Sequence, residues 1–247
     1  MSHSISSLQP VAAVLLGLTT GLFGFSRQLA AQADARHGVE QQMAGPIAAG
    51  PHLILTPTRI PTAADSSRAA AIVDTLRRAI AKYTDVHAAE ADGFRLFAPR
   101  VKNQPVFHYT RWLSAARAAY EFDPARPTSL LYRREANGSM RLIGAMYTAP
   151  QRSTPAELDR RIPLSIARWH LHTNMCIPPL RQRERWKETR EGAPRFGPGS
   201  PIATKAACDD VGGRFLPKLF GWMVHVNVFE NDPASIWAMP HEHHHAG

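Results

Sequence analysis

The sequence lacks a second apolar run long enough to cross a bilayer, and its single long run lies near the N-terminus. Residues 11–25 are apolar but contain three glycines, whereas a membrane span needs about 20 residues. Ala31-Gln32-Ala33 follows and fits an A-x-A cleavage signal, so we interpret residues 1–33 as a signal peptide cleaved near Ala33. An uncleaved N-terminal membrane anchor would use the same apolar residues. Both alternatives place the remaining chain in the periplasm or outside the cell.

The sequence also lacks the signatures of several large enzyme classes. It has no G-x-S-x-G elbow, no phosphate-binding loop and no dinucleotide-binding fingerprint. Metal enzymes of the cupin type combine an H-x-H pair with a nearby glutamate, but no glutamate follows His172 within ten residues. We therefore assign no catalytic residue from the sequence.

Acidic residues are outnumbered, because the chain has 29 Lys and Arg against 20 Asp and Glu. In the cytoplasm such a balance would raise nucleic acid as a partner. Export removes most encounters with nucleic acid, so we expect none as a partner and keep envelope or membrane surfaces as candidate contacts. The basic charge is spread along the chain, however, and such a distribution also serves solubility alone.

Hydrophobic periodicity indicates where the folded part begins. Residues 34–62 are rich in Ala, Gly, Gln and Pro and form an extended lead-in, and residues 63–247 form a single domain. Spacings of three and four predict one long helix over residues 65–93, whose apolar stripe continues to His87 at the edge of the core. A second, weaker helix is predicted over residues 109–120.

The pattern then changes to strands. Two apolar runs at residues 129–132 and 142–147 flank an Asn-Gly turn and predict a hairpin. A strand from residue 166 contains the stretch WHLHTNMC, and a last strand covers residues 221–229. These elements predict an α+β fold in which an antiparallel sheet packs one face against the helix over residues 65–93.

The stretch WHLHTNMC places polar side chains at every second position. In a strand, His170, His172, Asn174 and Cys176 would share one face, and Trp169, Leu171, Thr173 and Met175 the other, more apolar face. On one interpretation the histidine side is simply the solvent-exposed surface of the sheet. On the other it is a metal site, because two imidazoles at i and i+2 plus one from a neighbouring strand suit a single ion.

Several other residues fit the metal interpretation. His225 alternates with valines in the last strand and offers the third imidazole, Asn174 and Asn227 would support the site, and His108 or a tail histidine would be the fourth ligand. The tail HEHHH contributes His241 and His243 as candidates, and it also fits a mobile metal-scavenging tract or a solvated terminus. Neutral imidazoles suit zinc and copper, and Met175, Met223 and Met239 would be soft donors if the ion is Cu(I).

Cysteine is scarce, since the chain has two, Cys176 and Cys208. A pair of cysteines in an exported chain favours a disulfide, which would anchor residues 178–199. Cys208 lies in a short helix predicted to start at Ser200. The competing interpretation makes Cys176 a thiolate ligand beside the histidines.

Three blocks of this sequence resemble a group of uncharacterised exported bacterial proteins. The blocks are WHLHTNMC, ATKAACDDVGGRF and LFGWMVHV, with the patterns W-H-x-H-x-N-x-C, C-x-x-x-G-G-x-F and F-G-W-M-x-H-V. The resemblance covers residues 82–237 and implies that one motif set unites six residues: His170, His172, Asn174, Cys176, Cys208 and His225. It implies no activity.

Three functions therefore remain. We favour an exported protein that binds copper or zinc through His170, His172 and His225. The first alternative is a metal-dependent enzyme on the same residues. The second is a metal-free envelope module, for ligand binding or structure, that uses the histidines together with three tryptophans: Trp169, Trp222 and Trp237.

Overall fold

The structure is a computed structural model, and it describes residues 50–97, 105–230, 232 and 235–238. Its strands are β1 (Leu53–Leu55), β2 (Arg95–Leu96), β3 (Phe107–Thr110), β4 (Ser129–Arg134), β5 (Met140–Ala149), β6 (His170–Ile177), β7 (Thr189–Arg190), β8 (Ala193–Pro194) and β9 (Arg214–Val226). Seven of them form one sheet in the order β1-β6-β9-β5-β4-β3-β2, and every neighbouring pair is antiparallel. The predicted antiparallel sheet is confirmed, and β7 with β8 forms a separate small sheet.

Short helices connect these strands. They are α1 (Ala63–Ile80), α2 (Val86–Ala91), α3 (Trp112–Arg117), α4 (Pro155–Arg161) and α5 (Lys205–Asp210), with 3₁₀ turns at Ala81–Thr84 and Arg183–Lys187. None of the helices in the described part of the chain is both long and apolar enough to cross a membrane. The apolar run at residues 11–25, and with it the predicted signal peptide, lies outside the described residues.

The predicted hairpin is confirmed by the pairing of β4 with β5. Its turn is closed by two hydrogen bonds, from Glu135 N–H to Ser139 O and from Gly138 N–H to Glu135 O. Gly138 has a φ of 85°, which glycine adopts without steric cost. The pairing shifts between Leu131 and Tyr132, and such a bulge increases the local twist of a sheet.

The single helix predicted over residues 65–93 is wrong, because α-helical geometry ends after Ile80. α1 starts at a capping box in which Asp65 N–H donates to the Thr62 side chain and Thr62 N–H donates to the Asp65 carboxylate. This reciprocal pair satisfies two backbone groups that a helix start leaves open. The apolar stripe of α1 is buried as the periodicity predicts; it comprises Ala69, Ile72, Val73, Leu76 and Ile80.

A new helix start explains why the stripe does not continue to His87. After the 3₁₀ turn, Asp85 caps α2 and its carboxylate accepts a hydrogen bond from His87 N–H. The fresh start changes which residues face the core. The His87 side chain is 82% exposed and contacts Glu90 through Nδ1, so its predicted place at the edge of the core is wrong.

The helix predicted over residues 109–120 is also wrong in its first part. Phe107 and Tyr109 are buried at alternate positions of β3, which pairs with β4. Only the six residues of α3 are helical, and Trp112 and Tyr120 are 55% and 90% exposed. The predicted helix therefore begins too early, because pairing with β4 buries Tyr109 in a strand.

Both faces of the large sheet are buried. One face packs against α1 in the main core, which includes Ile72, Leu76, Tyr109, Tyr132, Ala145, Tyr147, Trp169, Val224 and Val226. A second apolar cluster lies apart from this core and consists of Val106, Leu131, Ile143, Met146 and Met223. The main core and α1 therefore lie on one side of the sheet, and the second cluster lies on the other.

Two strands differ from the prediction in where they lie along the chain. β1 falls within residues 34–62 and pairs with β6, with Leu53 opposite His172. β9 begins at Arg214 rather than at residue 221, and its pairing with β6 is irregular between His170 and His172. Phe220 in β9 has a φ of 61°, a left-handed conformation that interrupts the regular strand there.

The predicted disulfide is confirmed. Cys176 and Cys208 are bonded, their Cα atoms are 5.5 Å apart, and the bridge closes a sequence separation of 32 residues. α5 carries Cys208 and is capped by the side chain of Thr204, which accepts from Ala207 N–H. The predicted helix start at Ser200 is therefore wrong by one turn.

Candidate functional site

Four histidines from three strands of the sheet lie in contact with one another. His108 is on β3, His170 and His172 are on β6, and His225 is near the end of β9. We call the side of the sheet that carries them the histidine face. Val224 and Val226 of β9 point into the main core, so the predicted separation of these valines from His225 is confirmed, whereas Phe229, expected on the imidazole side, packs against the main core after the strand has ended.

Curvature of the sheet brings His108 to His225. Their strands are separated by β5 and β4 in the sheet order, and three flat strand spacings would place them about 14 Å apart. Gly144, opposite Leu131 on β4, has no side chain where the end of β9 crosses β5, and a Cβ atom there would collide with the backbone oxygen of Val226. Glycine at this position and the bulges on either side allow the sheet to curl.

The distances form a continuous chain of imidazoles. The Nε2 atoms of His108 and His225 are 3.4 Å apart, with ring centroids at 5.4 Å. The rings of His170 and His225 are 5.2 Å apart, and those of His170 and His172 are 5.6 Å apart. His225 thus contacts His108 of β3 on one side and His170 of β6 on the other.

These side chains are withdrawn from water. His170, His172 and His225 are only 6%, 1% and 8% exposed, so the interpretation of this face as a solvent-exposed sheet surface is wrong. Burial lowers the pKa of His108 to about 4, although a hydrogen bond to the Val106 backbone opposes the change. His108 is therefore neutral at pH 7, the form in which imidazole offers a lone pair to a metal.

The separation between His108 and His225 is close to that of two imidazoles that share an ion. Two nitrogens bound to one tetrahedral ion at about 2.0–2.1 Å lie about 3.3 Å apart, and the two ring centroids about 5 Å apart. Across the described ranges, no group of three or more His, Cys, Asp or Glu side chains is placed so that it could hold a metal ion as the rings now lie. Binding by three imidazoles would consequently require at least one ring to rotate about its side-chain bonds.

Two methionines lie beside the histidines. Met146 on β5 is directly opposite His225, and Met223 on β9 is directly opposite His170. Met223 was expected as a donor, but Met146 was missed, because its face could not be assigned without the register of β5 against β9. Met175, also expected, packs instead in a separate cluster with Ile177, Leu219 and other apolar residues.

The two asparagines expected to support the site bind backbone carbonyls. Asn174 Nδ2 donates to Pro51 O at 2.9 Å. Asn227 Nδ2 donates to Ser235 O at 2.9 Å and to Ala238 O at 3.1 Å. Asn227 therefore fixes the segment that follows β9, and Asn174 fixes the residues that precede β1.

Cys176 does not continue the histidine face. Asn174 has a φ of 55°, and this left-handed residue interrupts the alternation of side chains along β6. Cys176 packs with Phe196 and is bonded to Cys208. The interpretation of Cys176 as a thiolate ligand is therefore wrong.

The remaining candidates do not reach the histidines or cannot be placed. Trp169 is fully buried in the main core, and two further tryptophans, Trp222 and Trp237, pack against that core. A shared histidine and tryptophan surface, as the metal-free alternative requires, is not formed by these residues. His241, His243 and Met239 lie outside the described residues.

The fold and the site together define an antiparallel α+β domain with one disulfide and a cluster of four histidines on one face of its sheet, three of them buried and His108 partly buried. No family model matches the chain, and comparison with curated proteins and with solved structures gives no significant match.

Proposed function

We propose that this protein is an exported metal-binding protein that holds one copper or zinc ion through His170, His172 and His225, with His108 as a further ligand. Export is supported by the signal peptide inferred for residues 1–33. It is also supported by the disulfide, because disulfides persist in oxidising compartments and are rare in the cytoplasm.

The contact between His108 and His225 carries the proposal. The Nε2 atoms of His108 and His225 are 3.4 Å apart and form a long hydrogen bond, since such bonds usually measure about 2.9–3.0 Å. The separation is also close to the spacing of about 3.3 Å expected for two nitrogens on one tetrahedral ion, so an ion could replace the shared proton. The sheet curls through two intervening strands to produce this contact, so the pair is not an accident of sequence proximity.

His170 and His172 extend the pair to a set that could surround an ion. His170 lies beside His225, and His172 lies beside His170. Rotation of one or two rings would direct three nitrogens towards one point. Three imidazoles plus a fourth ligand are a common coordination of zinc, and imidazole also suits copper.

A competition titration tests the proposal. The full chain is prepared with His241, His243, His244 and His245 changed to Ala, so that the tail cannot supply imidazoles, and is titrated with Zn(II) and Cu(II) against a chromophoric chelator. We expect one tight equivalent. In the double variant His170→Ala, His172→Ala the affinity should fall by more than about 100-fold, since even indirect changes at metal sites cost 10- to 100-fold.

The matched control is His87→Ala, because this imidazole is exposed and lies on α2. It should leave the affinity unchanged. A double variant that unfolds cooperatively on heating and still binds metal as tightly as the parent chain would refute the proposed ligand set.

A further inference from the structure

We infer that the ion is Cu(I), and that the thioethers of Met146 and Met223 bind it together with imidazoles of the histidine face. The inference rests on the proposed function, since it uses the same site. It goes further by naming the metal, its oxidation state and two ligands outside the histidine set.

The strand register places each methionine next to a histidine. Met146 faces His225 across the β5–β9 ladder, and Met223 faces His170 across the β6–β9 ladder. Side chains at directly opposed positions of an antiparallel pair have Cβ atoms about 4.5–5.5 Å apart and point to the same side. Two thioethers and two imidazoles therefore occupy adjoining positions of the histidine face.

The surroundings of these methionines favour a soft ion. Met146 and Met223 are 8% and 6% exposed and pack with Val106, Leu131 and Ile143. Thioether sulfur is a soft ligand that selects Cu(I) among the metals available to proteins, while zinc sites use thiolate, imidazole or carboxylate. The sulfur atoms are thus on the side of the sheet where the imidazoles are.

The charge of the ion leads to the same choice. Imidazole and thioether are both neutral, so they offset none of the charge of an ion buried among apolar side chains. Because the desolvation cost of an ion grows with the square of its charge, a monovalent ion costs about a quarter as much to bury as a divalent one of similar size. A neutral ligand set in an apolar shell is accordingly better suited to Cu(I) than to Zn(II) or Cu(II).

The alternative role of these methionines is to fill space on a curved sheet, for which their flexible side chains are well adapted. Leucine has nearly the same volume and keeps the packing, but it has no sulfur. The change Met→Leu therefore separates coordination from packing.

The experiment compares Cu(I) and Zn(II) affinities of the full chain with its four tail histidines changed to Ala. Cu(I) is measured under nitrogen with ascorbate and bicinchoninate as competitor, and Zn(II) with a zinc chromophore. The double variant Met146→Leu, Met223→Leu should bind Cu(I) at least about tenfold more weakly, and its Zn(II) affinity should change less than twofold. X-ray absorption of the Cu(I)-loaded chain should show a copper–sulfur contribution that the double variant lacks.

The control is Met175→Leu, because Met175 is fully buried but packs in a different apolar cluster. It should leave Cu(I) affinity and the sulfur signal unchanged. Cu(I) binding of parental strength in the methionine double variant would overturn the inference and leave the histidine site standing, as would tight zinc binding without tight Cu(I) binding. Failure of the parent chain to bind any of these ions would overturn the proposed function itself.

Discussion

His108 and His225 lie on strands with two other strands between them, and their Nε2 atoms are nevertheless 3.4 Å apart. The close approach of Val226 to Gly144 and the reach of the two side chains together allow this contact. Features that set the approach of β9 to β5 should therefore influence metal binding.

Gly144 offers the most direct test of that link. A Cβ atom there would collide with the backbone at Val226, the last residue of β9, and at Asn227 after it, next to His225. Gly144→Ala should destabilise the protein by about 1–3 kcal/mol, the usual cost of forcing an extra carbon into a packed site, and should weaken metal binding by displacing His225. Urea denaturation and a metal titration measure the two effects.

Gly199→Ala is the matched control for this substitution. A Cβ atom at Gly199 would meet only the Pro194 ring, at 3.4 Å, so we expect a change below about 0.5 kcal/mol. If the two substitutions change stability and metal affinity equally, the absence of a side chain at Gly144 is not what allows β9 to approach β5.

The disulfide should matter for stability and not for the metal. Replacing Cys176 and Cys208 together by Ala opens a loop closed over a sequence separation of 32 residues, and should cost about 3–4 kcal/mol on the chain-entropy model. The ratio of metal to folded protein should stay the same, because neither sulfur is a ligand. Loss of metal from a double variant that remains folded would contradict this separation of roles.

Acid stability should depend on the cap of α1. The Asp65 carboxylate accepts hydrogen bonds from Arg59 and from Thr62, and these hold the pKa of Asp65 well below its usual range, although burial opposes them. Since its pKa is lower in the folded than in the unfolded state, its stabilisation is complete above about pH 4 and is lost as the pH falls further. Asp65→Asn should lower stability at neutral pH and make the fall in stability below pH 4 shallower.

Asp74→Asn serves as the control in the same urea experiments. Asp74 lies on the exposed side of α1, with 58% of its side chain accessible, and pairs with Arg77. The variant Asp74→Asn should leave the fall in stability below pH 4 unchanged. If stability falls equally steeply below pH 4 in the parent chain and in Asp65→Asn, the role assigned to the Arg59–Asp65 contact is refuted.

Local patterns predicted the Asn-Gly hairpin and the core-facing stripe of α1, which depend on local interactions. The antiparallel sheet and the disulfide are also present as predicted, although they join distant parts of the chain. The helix boundaries were less predictable, because apolar spacing alone does not reveal that Asp85 caps a new helix. Residue spacing likewise did not show that β3 is a strand, because its pairing with β4 depends on a distant part of the chain.

The site was predicted in part. Alternation along β6 and β9 correctly grouped His170 and His172 with each other and separated His225 from the valines. His108 was named as a possible fourth ligand without a position in the sheet, and Met146 was missed, because the places of both depend on the strand order and the register. Alternation also failed at Asn174, whose positive φ removes Cys176 from the histidine face.

Elemental analysis of the untagged protein tests the central claim most directly. The chain is purified from the exported fraction with His241, His243, His244 and His245 changed to Ala, and metal is counted against protein. Our account predicts one equivalent of copper or zinc, lost in the variant His170→Ala, His172→Ala and retained in His87→Ala. A folded protein that carries no stoichiometric metal, and takes up none when copper and zinc are supplied, would contradict it.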